Sequence, residues 1–458
     1  VFARPVLLGL GLAAGFLAAQ GCGDTLVDHE GASALVPDGG PGVACGPPDS
    51  GSAYHVCGTA CVVESETSCG STCEVCQTAV GGGVPACVSH LCSFSCEPGY
   101  LRCGDACCRA AAVATGAEHT CAIAGTRLRC WGSNDQGQLG RAAGASSSDT
   151  PVDVDGLPTG DAVSLVAAGM DHTCAVMAAG RLFCWGNNAS GQVGAGGASV
   201  PVPQEIALPG VTSLALGAQH TCAVAGGALH CWGANDRGQL GGATAGSSPS
   251  PVPGLGSGVT QVAAGAEHTC ALHSGALLCW GANDKGQLGT GGGASGTPQP
   301  VALSSVTRLG LGDRHSCAVA TGAGGPELWC WGDNGNGQVG PGGAGTLPTP
   351  TAVTLDGAAR PALVTAGRAH TCVASSETAS MRCLGADGSG QLGAPSGPGP
   401  VSVPLPGQPY GIAAGGDHSC AVQTNGELYC WGANGRGEVG NPTACPGSCS
   451  TPVQPTGL

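Results

Sequence analysis

The chain is 458 residues long with a formal charge of −15, which repels a phosphate backbone and argues against a nucleic-acid partner. Its 29 cysteines point to an oxidising compartment and away from the cytosol. With 85 glycines and 3% aromatic residues, its core cannot depend on large side chains.

From the start, Val6 to Ala19 is almost wholly apolar but too short for a bilayer, which takes about 20 residues. Arg4 precedes it and small residues follow, so residues 1–21 read as a signal peptide. Ala19-Gln20-Gly21-Cys22 resembles the cleavage box of bacterial lipoproteins, with Gln20 where a small residue is usual. That resemblance implies lipid attachment at Cys22 and an exported, membrane-anchored or extracellular protein. The alternative is a plain secretory signal with Cys22 in a disulfide. Cysteine counting favours the lipid. With Cys22 set aside, twelve cysteines lie between Cys45 and Cys108, fourteen lie in seven repeats, and Cys445 remains with Cys449, so every group is even.

Residues 22–44 form a flexible tether, small and polar from Glu30 to Gly42. Residues 45–109 have few large apolar side chains and need disulfides to fold. Cys73 with Cys76, and Cys103 with Cys107, have zinc-knuckle spacing, but export favours disulfides, and no metal is assigned. The run from Cys92 to Tyr100 looks like cysteine-rich modules of bacterial cell-surface proteins.

From residue 110 to 458 the chain is repeats. In the best-formed copy, Ala218 to Val224 and Leu229 to Gly233 flank Gly226-Gly227, a dipeptide suited to a two-residue hairpin. With those glycines as the turn, Cys222 faces Cys231 in a non-hydrogen-bonded pair. Such Cα atoms lie about 4.5 Å apart, within disulfide range. The predicted staples are Cys121–Cys130, Cys174–Cys184, Cys222–Cys231, Cys270–Cys279, Cys317–Cys330, Cys372–Cys383 and Cys420–Cys430, with Cys445–Cys449 as an eighth pair. His-Thr/Ser-Cys recurs at His119, His172, His220, His268, His315, His370 and His418, a period of roughly 47–55 residues that signals solenoids and propellers. Cys-Trp-Gly follows in six copies and Cys383-Leu384-Gly385 in the sixth. Each copy ends in Gly-Gln-Leu/Val-Gly, except Gly437-Glu438-Val439-Gly440.

Each copy supplies four short strands: a Pro-Val segment, a Val-Ala-Ala-Gly-like segment, the His strand and the Cys-Trp-Gly strand. Seven copies give an all-β, seven-bladed propeller behind a small disulfide-rich module. The chain enters at Val113 without a Pro-Val strand and leaves with one at Pro452-Val453. This predicts a latch in which the last strand completes the first blade. An open solenoid is the competing architecture.

The pattern of Val-Ala-Ala-Gly-x-x-His-Thr-Cys-Ala-Val, then Cys-Trp-Gly-Ala-Asn and Gly-Gln-Leu-Gly, is similar to the regulator of chromosome condensation repeat family. The resemblance implies a seven-bladed propeller. The founding member is a nuclear exchange factor for a small GTPase that contacts chromatin, a role at odds with export and acidity here. A secreted bacterial protein of this fold inhibits β-lactamases, so such propellers can be pure binders.

A residue present in every copy builds blades, so the seven histidines are expected to hydrogen-bond blade backbone beside their turns rather than bind metal. Asn134-Asp135, Asn235-Asp236 and Asn283-Asp284 suit turns better than calcium, since no bidentate acid follows. Function is sought where copies differ, in the turn before each histidine: Ala117-Glu118, Met170-Asp171, Ala218-Gln219, Ala266-Glu267, Asp313-Arg314, Arg368-Ala369 and Gly416-Asp417. The candidate binding face is thus Glu118, Asp171, Gln219, Glu267, Asp313, Arg314, Arg368 and Asp417, acidic but for Arg314 and Arg368 together on blades five and six. No Ser-His-Asp order, phosphate loop or HExxH run is present, and four Tyr with four Phe are few for sugar stacking. No catalytic residue and no cofactor is assigned. The reading is a monomeric envelope scaffold for a protein or glycan ligand, with an envelope enzyme as the alternative.

Overall fold

In the computed structural model, side chains are described for residues 112–458, apart from 143–144, 323, 341–344, 356–359, 376–377, 379, 396 and 398. Before residue 112 only the backbone of strands is described. The expectations for residues 1–44, the lipid site at Cys22 and the cysteine pairing within 45–109 lie outside the described residues. The chain divides into two units, Val1–Pro98 and Gly99–Leu458. The first holds three hairpins: Tyr54–Cys57 with Ala60–Val63, Ser68–Cys69 with Glu74–Val75, and Gly83–Val88 with Leu91–Cys96.

The second unit holds seven four-stranded antiparallel sheets, one per repeat. Blade 3 shows the plan, with Val211–Leu216 innermost, then His220–Ala225, Ala228–Gly233 and Gly246–Pro251 outermost. Gly226 and Gly227 take φ of 58° and 81°, the positive values a type I′ turn needs. That turn sets the register, so Cys222 faces Cys231 and His220 faces Gly233. The three-residue turns of blades 2 and 7 place Gly180 and Gly426 at φ of 79° and 86°.

Seven disulfides cross the hairpins, with Cα separations of 4.0–4.1 Å. Cys445 of the last loop is also bonded to Cys449, on the final strand Gly447–Val453. Both faces of each histidine strand are covered, one by each neighbouring blade, so His119–Ala124 is buried throughout. The core is therefore a set of blade–blade layers. In one, Val224, Leu229, Leu240 and Val252 of blade 3 pack on Val262, Ala271 and Trp280 of blade 4. Six tryptophans are fully buried in such layers.

The predicted latch is not what closes the ring. Gly447–Val453 pairs with Leu428–Asn434 in blade 7, and blade 1 takes its outermost strand, Ser147–Asp153, from its own repeat. The reason is connection length. The loop after each Cys-Trp-Gly run folds the Pro-Val segment back antiparallel onto that run, so the Pro-Val strand ends one blade instead of beginning the next. The seam between blades 7 and 1 is closed by Gly416 N to Gly116 O at 3.1 Å and Arg129 Nη1 to Gly457 O at 2.8 Å, with the buried bonds described below.

Candidate functional site

The recurring side chains form a buried lock between blades. His220 Nε2 of blade 3 lies 2.9 Å from Thr269 Oγ1 of blade 4, and Thr269 donates its hydroxyl to the Gln239 carbonyl of blade 3 at 2.9 Å. A hydroxyl carries one hydrogen, so Nε2–H is the donor, and burial, with Nδ1 left without a partner, keeps the imidazole neutral. Trp280 Nε1 donates to the same carbonyl at 2.9 Å. The histidine bond repeats from His119 to Thr173, His172 to Thr221, His268 to Ser316, His315 to Thr371 and His370 to Ser419. His418 to Thr120 completes the circle. Each imidazole thus bonds a hydroxyl one blade on, not the backbone of its own blade as the sequence reading had it. Burial pushes the imidazoles from 6.5 down to about 4 for His119, His220 and His315, and to about 3 for His172, His268, His370 and His418. They hold blades together and are closed to ligand.

Two departures from the repeat fit this lock. Glu438 stands where the other copies have glutamine, yet its carbonyl still accepts Thr120 and Trp131, both at 2.8 Å. The lock uses backbone oxygen, so the side chain is free to change. Leu384 replaces tryptophan in blade 6, and the Gln338 carbonyl keeps its bond from Thr371 at 2.8 Å.

The Asn-Asp-x-Gly runs are loop-holding devices. Asn235 Oδ1 accepts the Leu240 amide at 3.0 Å, and Gln239 Oε1 accepts the Arg237 amide at 2.9 Å. These loops and the turns before each histidine share one face of the ring, the loop face. The axial channel opening there has a volume of about 270 Å³, and the charged residues lining it are Asp313 and Arg368. The rest of its wall is mainly alanine, glycine and aliphatic residues of the innermost strands. This lining offers no nucleophile paired with a base.

Ion pairs bridge the loops of adjoining blades. Arg436 reaches Glu118 and Asp135 at 3.9 and 3.4 Å, Arg237 reaches Glu267 at 3.7 Å, and Lys285 reaches Asp333 at 3.6 Å. Arg314 lies 3.6 Å from Asp284, and Arg368 lies 2.8 Å from Asp417. The two arginines therefore do not make the free basic sector expected from sequence; each faces an acid of a neighbouring blade. Asp171, Asp236 and Asp313 have no cation partner among the described residues. Burial raises the Asp171 carboxyl above its usual range, helped by Glu118 and Asp135. Burial also raises Asp313. Asp236, Glu267 and Asp313 line a groove of about 320 Å³ with Gln219, Arg314 and Met170. Met170 is 38% exposed, unusual for so large an apolar side chain here.

Residues 130–457 match the RCC1-like domain, and residues 110–138 match the regulator of chromosome condensation (RCC1) repeat. The chain belongs to the RCC1-like domain family. Among solved structures it is similar to Prp20p of Saccharomyces cerevisiae, described with its binding to Gsp1p and histones. That likeness covers 68% of this chain and 81% of the yeast chain at 21% identity, with a TM-score of 0.58. It is also similar to human WBSCR16, at 21% identity over 72% of this chain and 94% of that one, with a TM-score of 0.63. At such identity the likeness is one of fold. A 70-residue stretch is 41% identical to the human probable E3 ubiquitin-protein ligase HERC6, covering 15% of this chain and 7% of that protein. A 122-residue stretch is 33% identical to human Protein RCC2, covering 25% and 23%. This chain spans less than a quarter of either curated relative.

In this RCC1-like ring the eight turn residues all lie on the loop face. Glu118, Gln219, Arg314 and Arg368 are exposed, whereas Asp171, Glu267, Asp313 and Asp417 are half-buried. Sequence reasoning weighed Asp236 and Asp284 only as turn or calcium residues and did not name Arg237 or Arg436; all four complete the face from the second set of loops. Their fixed offset after each Cys-Trp-Gly run was the available signal.

Proposed function

We propose that this RCC1-like propeller is an exported, envelope-anchored scaffold that captures a protein partner through a basic segment laid across its loop face. The observation that carries this reading is the groove in which Asp236 and Asp313 form no ion pair while Met170 stays exposed. Acids outside ion pairs attract and orient a cationic partner, and a solvent-facing methionine offers adaptable apolar contact. Burial of six of the seven tryptophans leaves few flat rings for sugar stacking, which favours protein over glycan. Prp20p, of the same fold, is described as binding proteins. Export is supported by the apolar run from Val6 to Ala19 just before Cys22 and by cysteines that pair throughout the ring.

The experiment compares the full protein with an Asp236→Asn, Glu267→Gln, Asp313→Asn variant, each immobilised and exposed to envelope extract. Capture of the same partner by wild type alone, lost at about 1 M salt where the Debye length falls to about 3 Å, supports the reading. Equal capture by the variant refutes it.

A further inference from the structure

The outer rim of the ring, formed by the outermost strands, holds a recurring group that partner capture on the loop face does not use. In blade 4, Cys279 faces Gln299 and Gly281 faces Ser295, so Gly296 to Pro298 bulge opposite the single residue Trp280. Thr297 is the middle of that bulge. The same place is held by Thr150 in blade 1, Ser248 in blade 3, Thr349 in blade 5 and Thr451 in blade 7. All five are exposed, and proline follows each of them. Among these five, within the described residues, only Thr297 has its hydroxyl in a hydrogen bond, accepting from Gln299 Nε2 at 3.2 Å.

Edge protection accounts for the prolines, whose lack of an N–H suits a strand with no outer neighbour. It does not account for the hydroxyls. Val202 holds the same place in blade 2, again before proline, so the bulge forms without an oxygen there. In blade 6 the place falls to Gly399, two residues before the Val401 that faces Cys383. Charge also blunts an edge, yet no blade puts a charged residue here. An acceptor for a modifying enzyme has to stand clear of its neighbours on extended backbone. The middle of a bulge on an unpaired edge does so, and the preceding Ser247, Gly296 and Ser450 are small. Exposed Ser and Thr interleaved with proline are the composition of O-glycosylated segments, where a bulky polar group sits on the surface. We propose that Thr150, Ser248, Thr297, Thr349 and Thr451 are acceptors for O-linked sugar, presented by the rim bulges. In the transfer the hydroxyl oxygen attacks the anomeric carbon of a glycosyl phosphate donor. The new C–O bond forms as the bond from that carbon to the phosphate oxygen breaks. The phosphate leaves with the electron pair, and the hydroxyl proton passes to a base of the transferase. Sugar is chosen over phosphate because the chain is read as exported, and to that extent the inference rests on the proposed function.

Mass spectrometry of the full chain purified from its source cells tests this, with fragmentation of its peptides that keeps side-chain sugars attached. Sugar increments are expected on these five hydroxyls. A chain carrying Thr150→Val, Ser248→Ala, Thr297→Val, Thr349→Val and Thr451→Val, made in the same cells, should lose every one of them. Val202→Thr should gain one increment, on the new hydroxyl of blade 2. Should the fivefold variant fail to fold, the wild-type map and Val202→Thr carry the test. Bare hydroxyls at all five places, sugar confined to other residues, or a Val202→Thr chain that gains nothing overturns the proposal. Phosphate in place of sugar overturns it and counts against export as well. Bare hydroxyls leave the loop-face reading untouched, since that is judged by capture and not by mass.

Discussion

Mild acid should open the ring. The seven lock histidines are neutral when folded, their pKa values lowered from 6.5 to about 3 or 4. In the unfolded chain they take up protons as the pH falls below about 6.5. The unfolded state thus binds more protons throughout the window from 6.5 down to the folded values, so stability falls with pH there. At pH 6 each histidine costs about 0.8 kcal/mol and the seven together about 6 kcal/mol. At pH 5 the figures are about 2 and about 14 kcal/mol, comparable to the roughly 5–15 kcal/mol that holds a typical domain folded. Burial raises the carboxyls of Asp171, Asp313 and Glu438, so these gain stability on acidification. They are three against seven, and the histidines prevail above pH 5. Guanidinium titrations at pH 8, 7, 6 and 5 without reductant, followed by fluorescence of the buried tryptophans, should show the midpoint dropping steeply below pH 6.5. A midpoint flat down to pH 5, or folded-state imidazole resonances titrating near 6.5, would refute the reasoning.

Other perturbations separate the parts of the lock by the same denaturation assay. Thr221→Val strands the His172 Nε2–H and removes a bond to the Gln192 carbonyl; it should cost about 1–3 kcal/mol. Thr221→Ser should stay within about 1 kcal/mol, because Ser316 and Ser419 fill that place in blades 5 and 7. Gly217→Ala would set a Cβ 2.2 Å from His220 Cε1 and 2.6 Å from the Gly265 carbonyl, a clash expected to cost more than about 4 kcal/mol and to abolish soluble yield. Gly226→Asn meets nothing within 4 Å and accepts the left-handed turn, so its melting temperature should barely move. Cys222→Ala with Cys231→Ala should lose about 2–3 kcal/mol while the ring stays closed.

The hairpin was the most legible feature, because Gly226-Gly227 fixes a turn and a turn fixes register; Cys222 opposite Cys231 follows by counting. Seven copies of a four-strand unit also sufficed for the propeller. What the sequence hid was the phase of the cycle, since a repeat of constant period looks the same wherever counting begins. Only the antiparallel return of Gly447–Val453 onto Leu428–Asn434 shows that blades are contiguous. The histidine partners were hidden for another reason, lying 48 to 56 residues away in the next copy, and 298 residues back for His418. The hydroxyl following each of the seven lock histidines, Thr or Ser without exception, was the signal that could have found them. On the loop face the acids were legible one by one. Their pairing with Arg314 and Arg368 was not, because it depends on how loops of separate blades lean together.

Because no strand is shared between first and last blades, every blade is a self-sufficient cassette. It carries one half of the lock backward, the hydroxyl and the indole, and the other half forward, the imidazole and the Gln carbonyl. A duplication or unequal crossover cutting in the link after any outermost strand therefore transfers a whole blade with both couplings intact. No dedicated closing segment has to be rebuilt, so the number of blades is set by how the wedges fill a circle, and such a gene can gain or lose a unit without first inventing a new end.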